Sequence, residues 1–124
     1  MSVLLINRNE SRVEFIEQAR NLVLHTWQHS IKFPKNTMFK FQMKLFELSN
    51  NVLENVVSGN SIMSNNELRR EYFQKSLANL NSFENLLSII QSGYLQYISD
   101  FGWNEWGRLI TLERKLILGQ LKKL

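Results

Sequence analysis

The chain has 124 residues and a mass of 14.7 kDa, enough for one domain with its own core and no need of disulfide or metal staples. It has no Cys, which excludes a disulfide framework, a thiolate zinc site and a cysteine nucleophile. Fifteen Lys and Arg against eleven Asp and Glu give a formal charge of +4, compatible with an anionic partner and equally with plain solubility.

One Pro and five Gly are too few for the turns of an all-β domain, so long helices are expected. The opening residues 1–10 hold only four consecutive apolar positions, Val3 to Ile6. A signal-peptide core takes roughly 7–15 and a membrane span about 18 or more, so neither is expected and the default compartment is the cytoplasm.

A first helix is predicted over about 12–31. Ser11 and Glu14 form a capping box, and Val13, Ile16, Ala19, Val23, Trp27, Ser30 and Ile31 recur at helical spacing. The helix should stop before Phe33-Pro34, because the residue ahead of Pro avoids the α region. A second helix, about 37–58, has Asn36 or Thr37 as its expected cap. Its stripe is Met38, Phe41, Leu45, Leu48, Val52 and Val56, and Gly59 is its expected C-terminal stop.

A third helix, about 65–92, opens on a second capping box, Ser64 with Glu67. Tyr72, Phe73, Leu80, Phe83, Leu87 and Ile90 form its stripe, and Gly93 should end it. The fourth, about 100–123, is capped by Ser99, with Asp100 in the first turn where a carboxylate suits the helix dipole. Four helices on short connections read as an all-α, up-down-up-down four-helix bundle.

The apolar band of the fourth helix is wide. At about 100° per residue, Phe101, Trp106, Leu109, Ile110, Leu112, Leu116, Ile117, Leu121 and Leu124 cover roughly half its circumference, and Trp103 and Leu118 widen it. Either its neighbours cover that band or one flank meets another subunit.

Catalytic candidates are sparse. His25 and His29 share metal-pair spacing, but the segment lacks the Glu of a zinc-protease helix and any third ligand. They read as solvent-side residues opposite the Val23 and Trp27 face. Arg20 and His25 match the Arg-x4-His pattern of HEPN-class helical ribonucleases. Five residues apart, they lie about 140° from each other on one helix, so they would converge only with help from a partner chain. No catalytic residue, metal ligand or cofactor site is assigned.

The basic residues are better organised. Arg108, Lys115 and Lys122 fall seven apart on the polar side of the fourth helix. Lys40 and Lys44 form a like-charge pair on the second, and Arg69, Arg70 and Lys75 cluster on the third. These positions read either as a solvated face or as contacts to nucleic-acid phosphates.

Lys32-Phe-Pro-Lys35 followed by the run from Phe41 to Val57, together with Tyr97-Ile-Ser99, Trp106-Gly-Arg-Leu-Ile110 and Leu116-Ile-Leu-Gly119, resemble a known four-helix-bundle family. It comprises the accessory variability determinant (Avd) proteins of diversity-generating retroelements and the related proteins encoded in bacterial rRNA intervening sequences. The resemblance covers about residues 12–123. The rRNA-intervening branch carries Asn-Ile-Ala-Glu-Gly near the end of the second helix, where this chain reads Asn51-Val-Leu-Glu-Asn-Val-Val-Ser-Gly59, so the Avd branch is favoured.

The resemblance implies a non-enzymatic homo-oligomer, a pentameric ring, that binds a reverse transcriptase and its RNA or cDNA in support of mutagenic reverse transcription. It is the resemblance, too, that turns the basic face toward nucleic acid. One departure is that Asn79, Asn81, Ser82 and Asn85 occupy the polar side of the third helix, where family members are often more basic. The alternatives are a ribonuclease using Arg20 and His25, or a plain helical interaction module.

Overall fold

The structure, a computed structural model, describes residues 13–124. Among them are four α-helices and no strand: α1 (Glu14–Ser30), α2 (Lys35–Ser61), α3 (Asn66–Tyr94) and α4 (Asp100–Lys122), with a 3-10 turn at Leu95–Tyr97 before α4. The expected capping box at Ser11 and the segment 1–10 lie outside the described residues.

Three helix ends follow the expected chemistry. α1 stops at Ser30, ahead of Phe33-Pro34. The Ser99 hydroxyl accepts from the Gly102 amide at 3.1 Å, and Asp100 sits in the first turn of α4. At α3 a side-chain cap is present but displaced by one residue. Asn65, not Ser64, accepts from the Leu68 amide at 3.0 Å.

Other ends correct the sequence reading. α2 begins at Lys35 behind Pro34, with no side-chain cap, so neither Asn36 nor Thr37 caps it. Pro is well suited there because its missing N–H is not needed at a helix start. Gly59 does not stop α2, which continues to Ser61, and no described glycine has a positive φ. Its role is close approach: a Cβ there would lie 2.8 Å from the Phe73 ring on α3. Gly93 likewise falls inside α3, which runs to Tyr94.

α2 and α3 share the most extensive interface; α1 packs on α2 and α4, and α3 on α4. The α2–α3 seam is tied by polar contacts, Ser76 Oγ donating to the Val52 carbonyl at 2.9 Å and Arg69 Nε to the Gly59 carbonyl at 3.2 Å. The core is one cluster drawn from all four helices, with Leu22, Leu45, Val52, Phe73, Leu80, Phe83, Trp106 and Ile117 fully buried.

The buried face of α1 is rotated from the expected one. Ile16, Ala19 and Ser30 of the expected stripe are inside and are joined by Phe15, Leu22 and Thr26, while Trp27 is 54% exposed, Ile31 is exposed and Val23 is half-buried. Residues 15, 19, 22, 26 and 30 also recur at helical spacing, so periodicity alone fits two stripes. Thr26 and His25 are accepted inside because α4 supplies partners for them, as shown below. Phe41 of α2, expected inside, is exposed. On α4, Trp103, Trp106, Leu109, Ile110 and Ile117 are buried within the bundle; Leu112, Leu116, Leu121 and Leu124 are half-buried. Only Phe101 and Leu118 of that wide band are exposed, so burial by neighbouring helices accounts for most of it.

Candidate nucleic-acid interface

Two depressions along α4 bear on the expected site residues. Toward the C-terminal end of α4, Thr111, Arg114, Lys115, Leu118, Gly119 and Lys122 line a groove of about 500 Å³. Lys115 and Lys122 are one heptad apart, about 10 Å along the axis, and so share a side. Both are exposed, and neither has an acidic partner among the described residues. Arg114 reaches the other way, donating to Asn81 and Glu84 of α3, which tethers one wall of the groove. The absence of a side chain at Gly119 leaves the groove floor open: a Cβ there would meet nothing within 4 Å.

Arg108, the third member of the expected line, is not in this groove. Its guanidinium grips Glu105 in a bidentate pair, with Nε at 2.7 Å and the terminal nitrogen at 2.8 Å. The hydrogen bonds from Arg108 hold the Glu105 carboxyl below its ordinary range. The pair is locally neutral, so Arg108 meets a phosphate only by sharing or releasing Glu105.

The other candidates are dispersed on α2 and α3. Lys44 pairs with Glu47 at 3.7 Å. Lys75 pairs with Glu71 at 3.5 Å and lies over the Tyr72 ring. These are exposed pairs of small energetic value, but each lowers the net positive charge at its position. Lys40 is exposed without an acidic partner among the described residues, and Arg70 is half-buried on α3. The groove therefore gathers two of the eight expected cations and adds Arg114, which the heptad reading of 108, 115 and 122 passed over because Arg114 lies one residue off that line.

The second depression lies where α4 meets α1. Asn21, Leu24, His25, Gln28, His29, Phe101, Glu105 and Leu109 enclose about 310 Å³. The histidines are not solvent-side residues opposite a buried Trp27. His25 is 6% exposed, and its ring lies 4.2 Å from that of His29 and 5.0 Å, edge-on, from Trp106. His25 Nε2 is 2.8 Å from the Gly102 carbonyl. A carbonyl only accepts, so this nitrogen carries the proton and donates.

Gly102 permits the approach. A Cβ there would stand 2.5 Å from Ile98 and 3.0 Å from His29 Nδ1. The Trp106 indole N–H donates to Thr26 Oγ1 at 3.0 Å, and that hydroxyl donates to the Leu22 carbonyl at 2.7 Å. Burial pulls both imidazoles below their ordinary pKa. The Gly102 bond and Glu105 oppose the shift at His25; at His29 the neighbouring His25 and Lys32 reinforce it.

Arg20 and His25 are not gathered at one site. Arg20 lines a separate apolar dimple with Val23, Leu24 and Leu53, on the α2 side of α1. No group of three His, Asp or Glu side chains that could hold a metal ion occurs among the described residues, and no helix among them is long and apolar enough to cross a membrane. Comparison with protein-family models, with curated proteins and with solved structures finds no match.

Proposed function

We propose that this chain is a non-enzymatic accessory protein of the Avd type, an up-down-up-down bundle that binds nucleic acid through α4 and delivers it to a reverse transcriptase in the cytoplasm. The observation that carries the reading is the α4 groove, where two exposed lysines one heptad apart stand without acidic partners beside Arg114. Such a groove suits a phosphate backbone, which is read by charge and position and not by sequence. The helix order, with α1 packed on α2 and α4 and α3 on α2 and α4, supports the bundle topology. The separation of Arg20 from His25, and the engagement of His25 with the Gly102 carbonyl, favour the non-enzymatic reading over a ribonuclease.

Assembly into a homo-oligomeric ring belongs to the same proposal, since repetition multiplies weak phosphate contacts into avidity. Its seat is on α1 and α2 rather than on α4. Trp27, Ile31, Phe39 and Met43 are exposed there, with Trp27 packed against Phe46 at 5.7 Å.

The deciding experiment is a salt titration of single-stranded RNA binding by the parent and by Lys115→Glu/Lys122→Glu. The double variant should bind more weakly, with a log–log salt slope shallower by about 0.7 for each lost phosphate contact. Lys40→Glu/Lys44→Glu is the control on α2 and should change binding less. Equal affinity and slope for the parent and the α4 variant would refute the assignment. Retention of a diversity-generating retroelement reverse transcriptase on the immobilised protein tests the partner.

A further inference from the structure

The depression between α1 and α4 is chemically unlike the groove. It has no unpaired cation on its wall, and the Glu105 carboxylate there is already held by Arg108, so it offers a phosphate no free positive charge. What it offers is an aromatic face, two carboxamides and a small volume. Phe101 is 69% exposed at the rim, although the rest of the α4 apolar band is largely covered. Asn21 and Gln28 present groups that both donate and accept, and the Gln28 side chain makes no hydrogen bond among the described residues. About 310 Å³ stands at the lower end of the roughly 300–1,000 Å³ of small-ligand pockets.

Its position matters as much as its lining. Phe101, Arg108, Lys115 and Lys122 follow one another at intervals of seven residues, so they stand on one side of α4 with the aromatic ring at the N-terminal end. Phe101 and Lys115 are about 21 Å apart along the axis, the reach of a short run of strand. Aromatic platforms combined with a cationic track are the physical basis of single-strand binding.

We infer that the pocket over His25 and His29 takes one unstacked nucleobase of a single strand, flat against Phe101 with its edge toward Gln28 and Asn21, while the adjoining phosphates follow Lys115 and Lys122. The inference rests on the nucleic-acid reading above and adds a strand preference to it. A duplex keeps its bases stacked and paired, so it cannot fill the pocket. Electrostatic contacts alone would take either form.

The test measures anisotropy of a labelled oligo(A) RNA of about 12 nucleotides, within the usual site sizes of single-strand binders, and of the same strand annealed to oligo(U). The parent should prefer the single strand. Phe101→Ala should weaken single-strand binding roughly tenfold, the usual loss of one stacked base, and leave duplex binding and the salt slope unchanged. Phe101→Tyr should restore it. Single-strand binding by Phe101→Ala equal to the parent's, or a parent preference for duplex, overturns the inference. If Phe101→Ala has no effect while Lys115→Glu/Lys122→Glu does, only the base pocket falls and the exposed ring belongs to a protein contact. If the parent binds neither probe, the nucleic-acid function falls with it.

Discussion

The α1–α4 seam treats its polar groups differently at its two ends. Near the start of α4 three buried donors have acceptors, Trp106 donating to Thr26, Thr26 to the Leu22 carbonyl and His25 to the Gly102 carbonyl, while His29 Nδ1 and Ser30 Oγ have no hydrogen-bond partner among the described residues. Farther along α4, Glu113 is fully buried, and neither carboxylate oxygen has a hydrogen-bond partner among the described residues. Burial, with the charge of Glu14 on α1 adding to it, pushes the Glu113 pKa up to about 9. It is therefore a neutral acid in the native bundle at pH 7. The difference teaches that burial of a polar group is inexpensive only where the opposite helix brings a matching partner, as it does for Trp106 and His25 and does not for the Glu113 carboxyl.

The largest expected effect breaks the unsatisfied end. Glu113 binds its proton in the native state between pH 4.5 and about 9, where the unfolded chain has released it, so stability falls as pH rises through that window. At about 1.36 kcal/mol per pH unit, the loss by pH 7 is on the order of 3 kcal/mol. Glu113→Leu should raise stability by about that amount at pH 7 and flatten its decline above it, as read from urea unfolding at pH 5, 7 and 8.5. A destabilised Leu variant would mean that Glu113 has a partner in solution.

A smaller effect of opposite sign is expected at the Thr26–Trp106 bond. Thr26→Val keeps the shape of the side chain but leaves the Trp106 N–H without an acceptor. It should cost about 1–3 kcal/mol, the penalty of orphaning one buried donor. Adding Trp106→Phe to the Thr26→Val variant removes the orphan and should recover part of the loss; no recovery would break the assignment of the Thr26–Trp106 bond.

The smallest effect sharpens the contrast by pH. Both histidines sit below their ordinary pKa, chiefly through burial, so the native state favours the neutral rings. For bases shifted down, stability is present above the unfolded pKa of 6.5 and is lost as pH falls through it. The groups that face the pair are Lys32 on the connection after α1 and Glu105 and Arg108 on α4. In the Glu113→Leu background, the urea midpoint should hold steady from pH 8 to 7 and then fall toward pH 5. A midpoint unchanged to pH 5 would show that the imidazoles charge without resistance.

Much of the helical framework was legible in the residues. Pro34 with the buried Phe33 ahead of it, the Ser99 cap, the stripe of α2 apart from Phe41, and that of α3 follow from spacing and local backbone chemistry. Glu113 was legible too, though the reading passed it over. It stands three residues after Ile110 and four before Ile117, which places it within the apolar stripe.

The candidate site was less readable. Lys115 and Lys122 follow from heptad spacing, but the neutralisation of Arg108 by Glu105 and the turn of Arg114 toward α3 depend on which rotamers the surroundings leave open. The pocket over the histidines draws on residues about 80 positions apart and has no local signature.

What the chain by itself determined is therefore the helical content, the approximate breaks and the line of cations on α4, because these rest on interactions between residues no more than a few positions apart. The rotation of α1 was decided only in the tertiary structure. Two stripes on α1 have helical spacing, and Gly102 of α4 lets the helices come close enough for the His25 imidazole and Thr26 to find their partners there. The same contact turned Trp27 outward, and the meeting of α2 with α3 made Gly59 a point of close packing against Phe73 in place of a stop. Each of these outcomes is settled by the fit between surfaces that meet only after the chain has folded.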